Sequence, residues 1–244
     1  MPRTASADHL ILDLETVPDL DRWHRPEGGE AAFPPTWAHR IIAIGFLVVD
    51  HAYRVTRIGI VPAPEAATPD GRERAVLGEL SRVIEDLRPV LVTYNGRSFD
   101  LPVIALRALC HGVPLRWYYR DRGMRSRYSE DGHLDLCDWL ADHGATRASK
   151  LDQIARLIGL PGKVGIDGSQ VEGLFLDGRL DLIESYCLGD VAQTALLFLR
   201  FRLLQGRLSP TDYQARTRDL LDALERDGRV GELLAGLDRA HLLA

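Results

Sequence analysis

With 244 residues, 45% of them hydrophobic and 27% charged, the chain is long enough for one large globular domain with a sizeable core. Its net charge of −5 argues against a histone-like or tail-driven nucleic-acid binder, which would be strongly basic, but leaves room for a local basic groove. No uninterrupted apolar run approaches the roughly 18 to 20 residues of a membrane span, so no membrane partner is expected. Acids interrupt the apolar run that a leader peptide would need near the N-terminus. Three cysteines without metal-type spacing are expected to be reduced thiols in a cytoplasm.

The first predicted element is a strand over residues 9 to 15. Strand alternation puts Leu10, Leu12 and Leu14 on one face and Ile11, Asp13 and Glu15 on the other, with the two carboxylates about 7 Å apart. Like charges on a buried face repel, so this face is either wet or holds a cation. A loop rich in Pro, Gly and charge follows over 18–38. Residues 40–50 and 52–61 read as two strands with a turn near Asp50 and His51, a hairpin that extends the sheet. Apolar spacing at Val76, Leu77, Leu80, Val83 and Ile84 predicts a helix within 71–87, followed by a short buried strand in "PVLVTYN". Residues 98–112 form the next helix, with Pro102 in its first turn and Gly112 closing it. In "GHLDLCD", His133 ends a strand and Asp135 caps a helix. Further helices are expected over 135–143, 149–159, 168–177, 180–204, 210–227 and 230–240, with Ser209 and Pro210 opening the one at 210. Strands with interspersed helices, then helices alone, indicate an α/β class: a central mixed sheet flanked by helices.

Two more acids stand out. Asp100 sits near a helix start, where either it or Ser98 would serve as an N-cap. Asp190 lies beside an apolar stripe through Leu182, Ile183, Tyr186, Cys187, Val191, Thr194, Ala195 and Phe198. A carboxylate there is costly unless it is paired, metal-bound or able to reach solvent. Tyr186, four residues earlier, shares its face. Residues 116–128, "RWYYRDRGMRSRY", interleave five Arg with four aromatics. That composition fits a nucleic-acid groove and, equally, a solvated loop or hairpin.

Asp13-x-Glu15 followed by Thr16, then Asn95-x-x-x-Phe99-Asp100, then Tyr186-x-x-x-Asp190 resemble, in order and local pattern, the DEDD superfamily of 3′-to-5′ exonucleases. The tyrosine matches the branch that includes the proofreading domains of family A and family B DNA polymerases; Ser185 stands where the sister branch carries His. "HLDLCDWL", "LPGKVGIDGSQV" and "YCLGDVAQTALLFLRF" are similar to a bacterial group of predicted stand-alone exonucleases related to the family B proofreading domain, a likeness covering roughly residues 8 to 205.

The resemblance implies a ribonuclease H-like fold, with an exonuclease domain over 1–205 and a helical C-terminal extension over 206–244. It implies two divalent ions, Mg²⁺ or Mn²⁺, held by Asp13, Glu15, Asp100 and Asp190, with Tyr186 orienting the attacking water. Substrate contacts would come from Leu14, Thr16, Asn95, Phe99 and Lys163, although Asn95 also reads as a turn residue and Lys163 as a solvated one. The implied reaction trims 3′ ends of single-stranded or frayed DNA, in repair or end processing, with DNA favoured over RNA; the polarity comes from the resemblance alone. No polymerase palm is expected within these 244 residues. The alternatives are an exoribonuclease and an inactive nucleic-acid-binding module on the same fold. Retention of all four carboxylates and the tyrosine disfavours the inactive module.

Overall fold

The computed structural model describes residues 7–26, 33–64 and 68–244. The first six residues, where no leader was expected, and 27–32 of the predicted 18–38 loop lie outside them. Five strands, β1 (His9–Pro18), β2 (His39–Val49), β3 (Val55–Ile60), β4 (Val90–Thr93) and β5 (His133–Asp135), form one sheet in the order β3-β2-β1-β4-β5. β2 pairs antiparallel with β1 and β3, whereas β4 pairs parallel with β1 and β5. With helices on both faces, this is the ribonuclease H-like arrangement.

The alternation in β1 decides which face meets which helix. Leu10, Leu12 and Leu14 pack with Val76, Leu77, Leu80 and Ile84 of α1 (Pro69–Leu87) and with Leu101 and Ile104 of α2 (Asp100–His111). Each fully buried Leu or Ile contributes about 1.5–3 kcal/mol. Ile11 points the other way, toward the core that contains Val191, Ala195 and Phe198 of α8 (Leu180–Leu204). Asp13 and Glu15 therefore face α8. Among the described residues α8 is long and apolar enough to cross a membrane, yet most of it is buried, sharing one core with the sheet and with Leu220, Leu221 and Leu224 of α9 (Pro210–Asp227). α9 opens as expected: Ser209 accepts a hydrogen bond from the Asp212 N–H at 3.1 Å, and Pro210 takes the first helical position.

The second half is more broken than its periodicity suggested. Residues 116–128 contain neither a hairpin nor a plain loop but α3 (Arg116–Arg120) and α4 (Arg122–Arg125), because Trp117 and Met124 turn into the core. α5 (Leu136–Leu140), α6 (Leu151–Leu157) and α7 (Val171–Leu176) are shorter than predicted. The helix expected over 230–240 is two: α10 (Gly231–Ala235) and α11 (Arg239–Leu242). Gly236 ends the first, where a Cβ would stand 2.8 Å from Pro161 Cβ; Asp238 caps the second by accepting from the His241 N–H at 3.0 Å.

A buried charge network, unmarked in the sequence, fixes the end of β1. Arg107 of α2 donates to both Glu73 carboxylate oxygens, at 2.8 and 2.6 Å, and to Asp19 at 2.7 Å. Glu73 also accepts from the Ile41 N–H at 2.8 Å. Each of these charges has partners, which is what makes their burial tolerable.

Candidate active site

The site begins with a close approach of α8 to the sheet. Gly45 of β2 stands opposite Asp13 in the ladder. A Cβ there would lie 2.9 Å from Cys187 Sγ and 3.1 Å from Val191 Cγ2, so only glycine admits the helix at this distance. The Gly45 N–H donates to Cys187 Sγ at 3.2 Å, and the thiol in turn donates to the Asp13 carbonyl at 3.5 Å. Cys187 thus ties β1, β2 and α8 together between Tyr186 and Asp190, a role its position on an apolar stripe did not disclose. The register shifts between Glu15 and Thr16, which pair with Ala43 and Ile41 and leave Ile42 as the extra residue. Such a bulge re-aims side chains at the strand end.

Asp100 comes in from the other face. It is the first residue of α2, Phe99 holds the N-cap position, and no side chain caps the helix. The N-cap reading of Ser98 or Asp100 is therefore corrected. Burial raises the Asp100 carboxyl to about 7, with help from the charges of Asp135 and Asp190, while its own and the Leu14 backbone N–H groups offset part of the rise. Asp190 is raised to about 6 by burial, held back by the Lys163 charge and the neighbouring Tyr186 phenol. Asp13 and Glu15 are pushed well above the usual carboxylate range, first by burial and then by the charges of the other acids. β1, α2 and α8 thus bring all four predicted carboxylates into one another's field. The Tyr186 phenol is raised well above its usual value by burial and by Asp190, Glu15 and Asp13, so it is a neutral hydroxyl.

Lys163 lies on the loop between α6 and α7, exposed, with its backbone N–H donating to Asp152 at 2.7 Å. Gly162 beside it has φ +75°, and a Cβ there would be 2.3 Å from the Asp152 carboxylate. The loop thereby presents a cation whose charge acts on both Glu15 and Asp190. It borders a cavity of about 550 Å³ lined also by Tyr186, Asp190, Gln193 and, from the C-terminal segment, Arg229 in the turn after α9 and Glu232 of α10.

Thr16 and Phe99 meet through a residue the sequence reading missed. His39 Nε2 donates to the Pro34 carbonyl at 3.0 Å, burial lowers the imidazole pKa, and Nδ1 is left to accept from the Thr16 hydroxyl at 2.8 Å. The Phe99 ring stands edge-on to His39 at 5.0 Å, and the largely exposed Phe33 lies 4.9 Å from His39 and 5.9 Å from Phe99. Nothing in the spacing of Phe33 or His39 marks them.

Asn95 is the turn residue its context suggested: exposed, with φ +65°. Its N–H and that of Arg97 both donate to Asp135 at 2.8 Å. Asp135 also caps α5, accepting from the Cys137 N–H at 3.0 Å, so one carboxylate holds the loop that leads into Asp100. His133 stands at one end of its strand as expected, opening β5, and is hydrogen-bonded to Thr93 Oγ1 at 2.8 Å.

Among known proteins, residues 31–236 match a family described as predicted 3′-5′ exonuclease related to the exonuclease domain of PolB. The match begins after β1, so Asp13 and Glu15 precede it. The DNA polymerase epsilon catalytic subunit of Emericella nidulans is 26% identical over 229 residues, 82% of this chain and 10% of that protein. Its counterpart from Aspergillus fumigatus is 25% identical with the same coverage. The chain thus spans about a tenth of the length of these curated relatives. The family B DNA polymerase from the hyperthermophilic archaeon Pyrobaculum calidifontis resembles it in fold, with a TM-score of 0.56 at 21% identity over 98% of this chain and 27% of that one.

Proposed function

The chain belongs to the family of predicted 3′-5′ exonucleases related to the exonuclease domain of PolB, and from that premise we propose that it is a divalent-metal-dependent 3′-to-5′ exonuclease on single-stranded or frayed DNA ends. The observation that carries this reading is the convergence of four carboxylates from three elements, Glu15 and Asp100 buried and Asp13 and Asp190 half-buried, in which the charges of Asp100 and Asp190 raise Asp13 and Glu15, and that of Asp190 also raises Asp100. Such a cluster costs stability when it is ionised and uncompensated, and its hard oxygen donors suit Mg²⁺ or Mn²⁺. Asp13, Glu15, Asp100 and Asp190 would hold the metal. Bound in pairs, such ions neutralise the attacking and leaving oxygens of a phosphodiester and make water nucleophilic at neutral pH.

The other side chains position the substrate. The neutral Tyr186 hydroxyl orients the attacking water, Lys163 meets the phosphate at the cavity mouth, and Phe99 stacks on a terminal base. Thr16, steadied by His39, and the Leu14 backbone line the approach to the sugar, and Asn95 reaches the preceding nucleotide. Hydrolysis breaks the bond from phosphorus to the 3′ oxygen of the preceding nucleotide. It releases a nucleoside 5′-monophosphate and leaves a new 3′-hydroxyl. DNA is favoured over RNA because the relatives at 25–26% identity are DNA polymerase subunits. In this reading residues 1–205 are the nuclease unit and 206–244 a helical extension that closes one wall of the cavity.

The test is a 5′-labelled single-stranded DNA incubated with Mg²⁺ or Mn²⁺. A ladder shortening from the 3′ end, absent with EDTA and in Asp190→Ala, is the expected result. Absence of cleavage on DNA, RNA and mismatched duplex ends would overturn the proposal in favour of a binding module.

A further inference from the structure

Residues 116–128 take no part in the reaction centre, yet they carry five arginines against one acid in a chain of net charge −5. Their fold sorts them. Trp117 is buried and donates from Nε1 to Ser81 Oγ at 3.2 Å, anchoring α3 on α1. Arg116 and Arg120 line a separate cavity with Glu85 and Arg88 at the C-terminal end of α1. Arg127 is committed to Asp138. Tyr119, by contrast, is 57% exposed, with Tyr118 edge-on to it at 5.0 Å and the exposed Arg125 guanidinium over its ring, 5.6 Å from the centroid.

This patch adjoins the site. Ser126, next to Arg125, accepts from Arg97 Nη2 at 3.4 Å, and Arg97 sits in the loop that Asp135 holds on its way into Asp100. Three residues of chain, at most about 11 Å between Cα atoms, separate Arg97 from Asp100. The Tyr118 phenol, half-buried, feels the charges of both Arg97 and Arg125.

We propose that Tyr118, Tyr119 and Arg125, joined to the site through Arg97, form a docking surface for the single strand upstream of the 3′ end. An exposed ring offers a base a stacking face without regard to its identity, and an adjoining guanidinium offers a phosphate its countercharge. The surface is specific to single strands because paired bases have no free face to lay on Tyr119. The inference rests on the exonuclease reading and adds a prediction of its own: affinity grows with strand length beyond what the reaction centre can span.

The experiment compares single strands of about 4 and about 20 nucleotides for wild type and for the Tyr119→Ala/Arg125→Ser double variant. The variant should raise KM on the long strand by about tenfold, the scale of one lost base stack, while leaving kcat and the short-strand kcat/KM within about twofold. Tyr119→Phe, which keeps the ring, should behave as wild type. The salt dependence of long-strand binding should also flatten in the double variant. Equal losses on both lengths, or none on the long strand, would overturn the surface. If wild type cuts neither strand, the exonuclease reading itself fails. Fluorescence anisotropy of a labelled long strand in EDTA then tests the surface separately, because a double variant that binds as tightly as wild type refutes it.

Discussion

Replacing Asp190 with asparagine should make the metal-free protein more stable while abolishing cleavage. A carboxyl whose pKa is higher in the folded than in the unfolded chain holds its proton more tightly when folded. Stability is therefore lost as pH rises from the ordinary carboxylate range, near 4, through the folded value. For Asp190 the lift from 3.8 to about 6 corresponds to roughly 3 kcal/mol at pH 8. The amide has no charge to bury, and it also removes one of the charges that raise Asp13 and Glu15. At about 2–4 °C per kcal/mol for a chain of this size, Tm in EDTA at pH 8 should rise by roughly 6–12 °C. At pH 5 the wild-type carboxyl is mostly protonated when folded, and about half of the gain should remain. Mg²⁺ or Mn²⁺ should raise the wild-type Tm and raise the variant's much less, since one ligand is gone. Thermal melts at both pH values, with EDTA and with metal, read all of this. A variant less stable than wild type at pH 8 in EDTA, or an undiminished gain at pH 5, would refute the view that these four acids carry an unrelieved charge.

Gly45→Ala should cost about 1–3 kcal/mol in urea unfolding and reduce cleavage, because relieving the 2.9 Å contact with Cys187 Sγ moves α8 and, with it, Tyr186 and Asp190. Adding Cys187→Ala should recover part of both losses; no recovery would show that the thiol is not the obstacle. Tyr186→Phe should leave Tm and its rise with metal nearly unchanged while kcat falls on the order of 10²-fold, whereas a fall in the metal response would make the phenol a support for the ligands instead. Arg107→Leu leaves Glu73 and Asp19 buried without their shared partner and should cost about 3–5 kcal/mol in denaturant unfolding, and a loss below about 1 kcal/mol would mean that the remaining partners suffice.

Much of this protein is legible in local sequence. Period-two alternation in β1 assigns Leu10, Leu12 and Leu14 to one side and Asp13 and Glu15 to the other, and the packing of α1, α2 and α8 follows that division. α8 and α9 begin and end where the apolar stripe of one and the Ser209–Pro210 opening of the other place them. Asp135 was recognisable as a cap because capping is settled within three residues. The four acids, scattered over the chain, were recognised as one set through a resemblance and not through any spacing between them.

What tertiary structure alone decided depends on segments far apart in the chain. Gly45 reads as an ordinary strand glycine until Cys187, 142 residues later, is seen to occupy the space a side chain would need. His39 and Phe33 acquire a role only because α2 brings Phe99 against them. The helices of 116–128 and the break at Gly236 follow from which neighbours the core and Pro161 leave room for. Local propensity is set by residues two to four positions away, whereas burial, close approach and the field at a carboxylate are set by whatever the fold carries to that point. The residue types needed for the proposed chemistry can therefore be read along the chain, but the raised carboxyls of the proposed site exist only once α8 lies against β1.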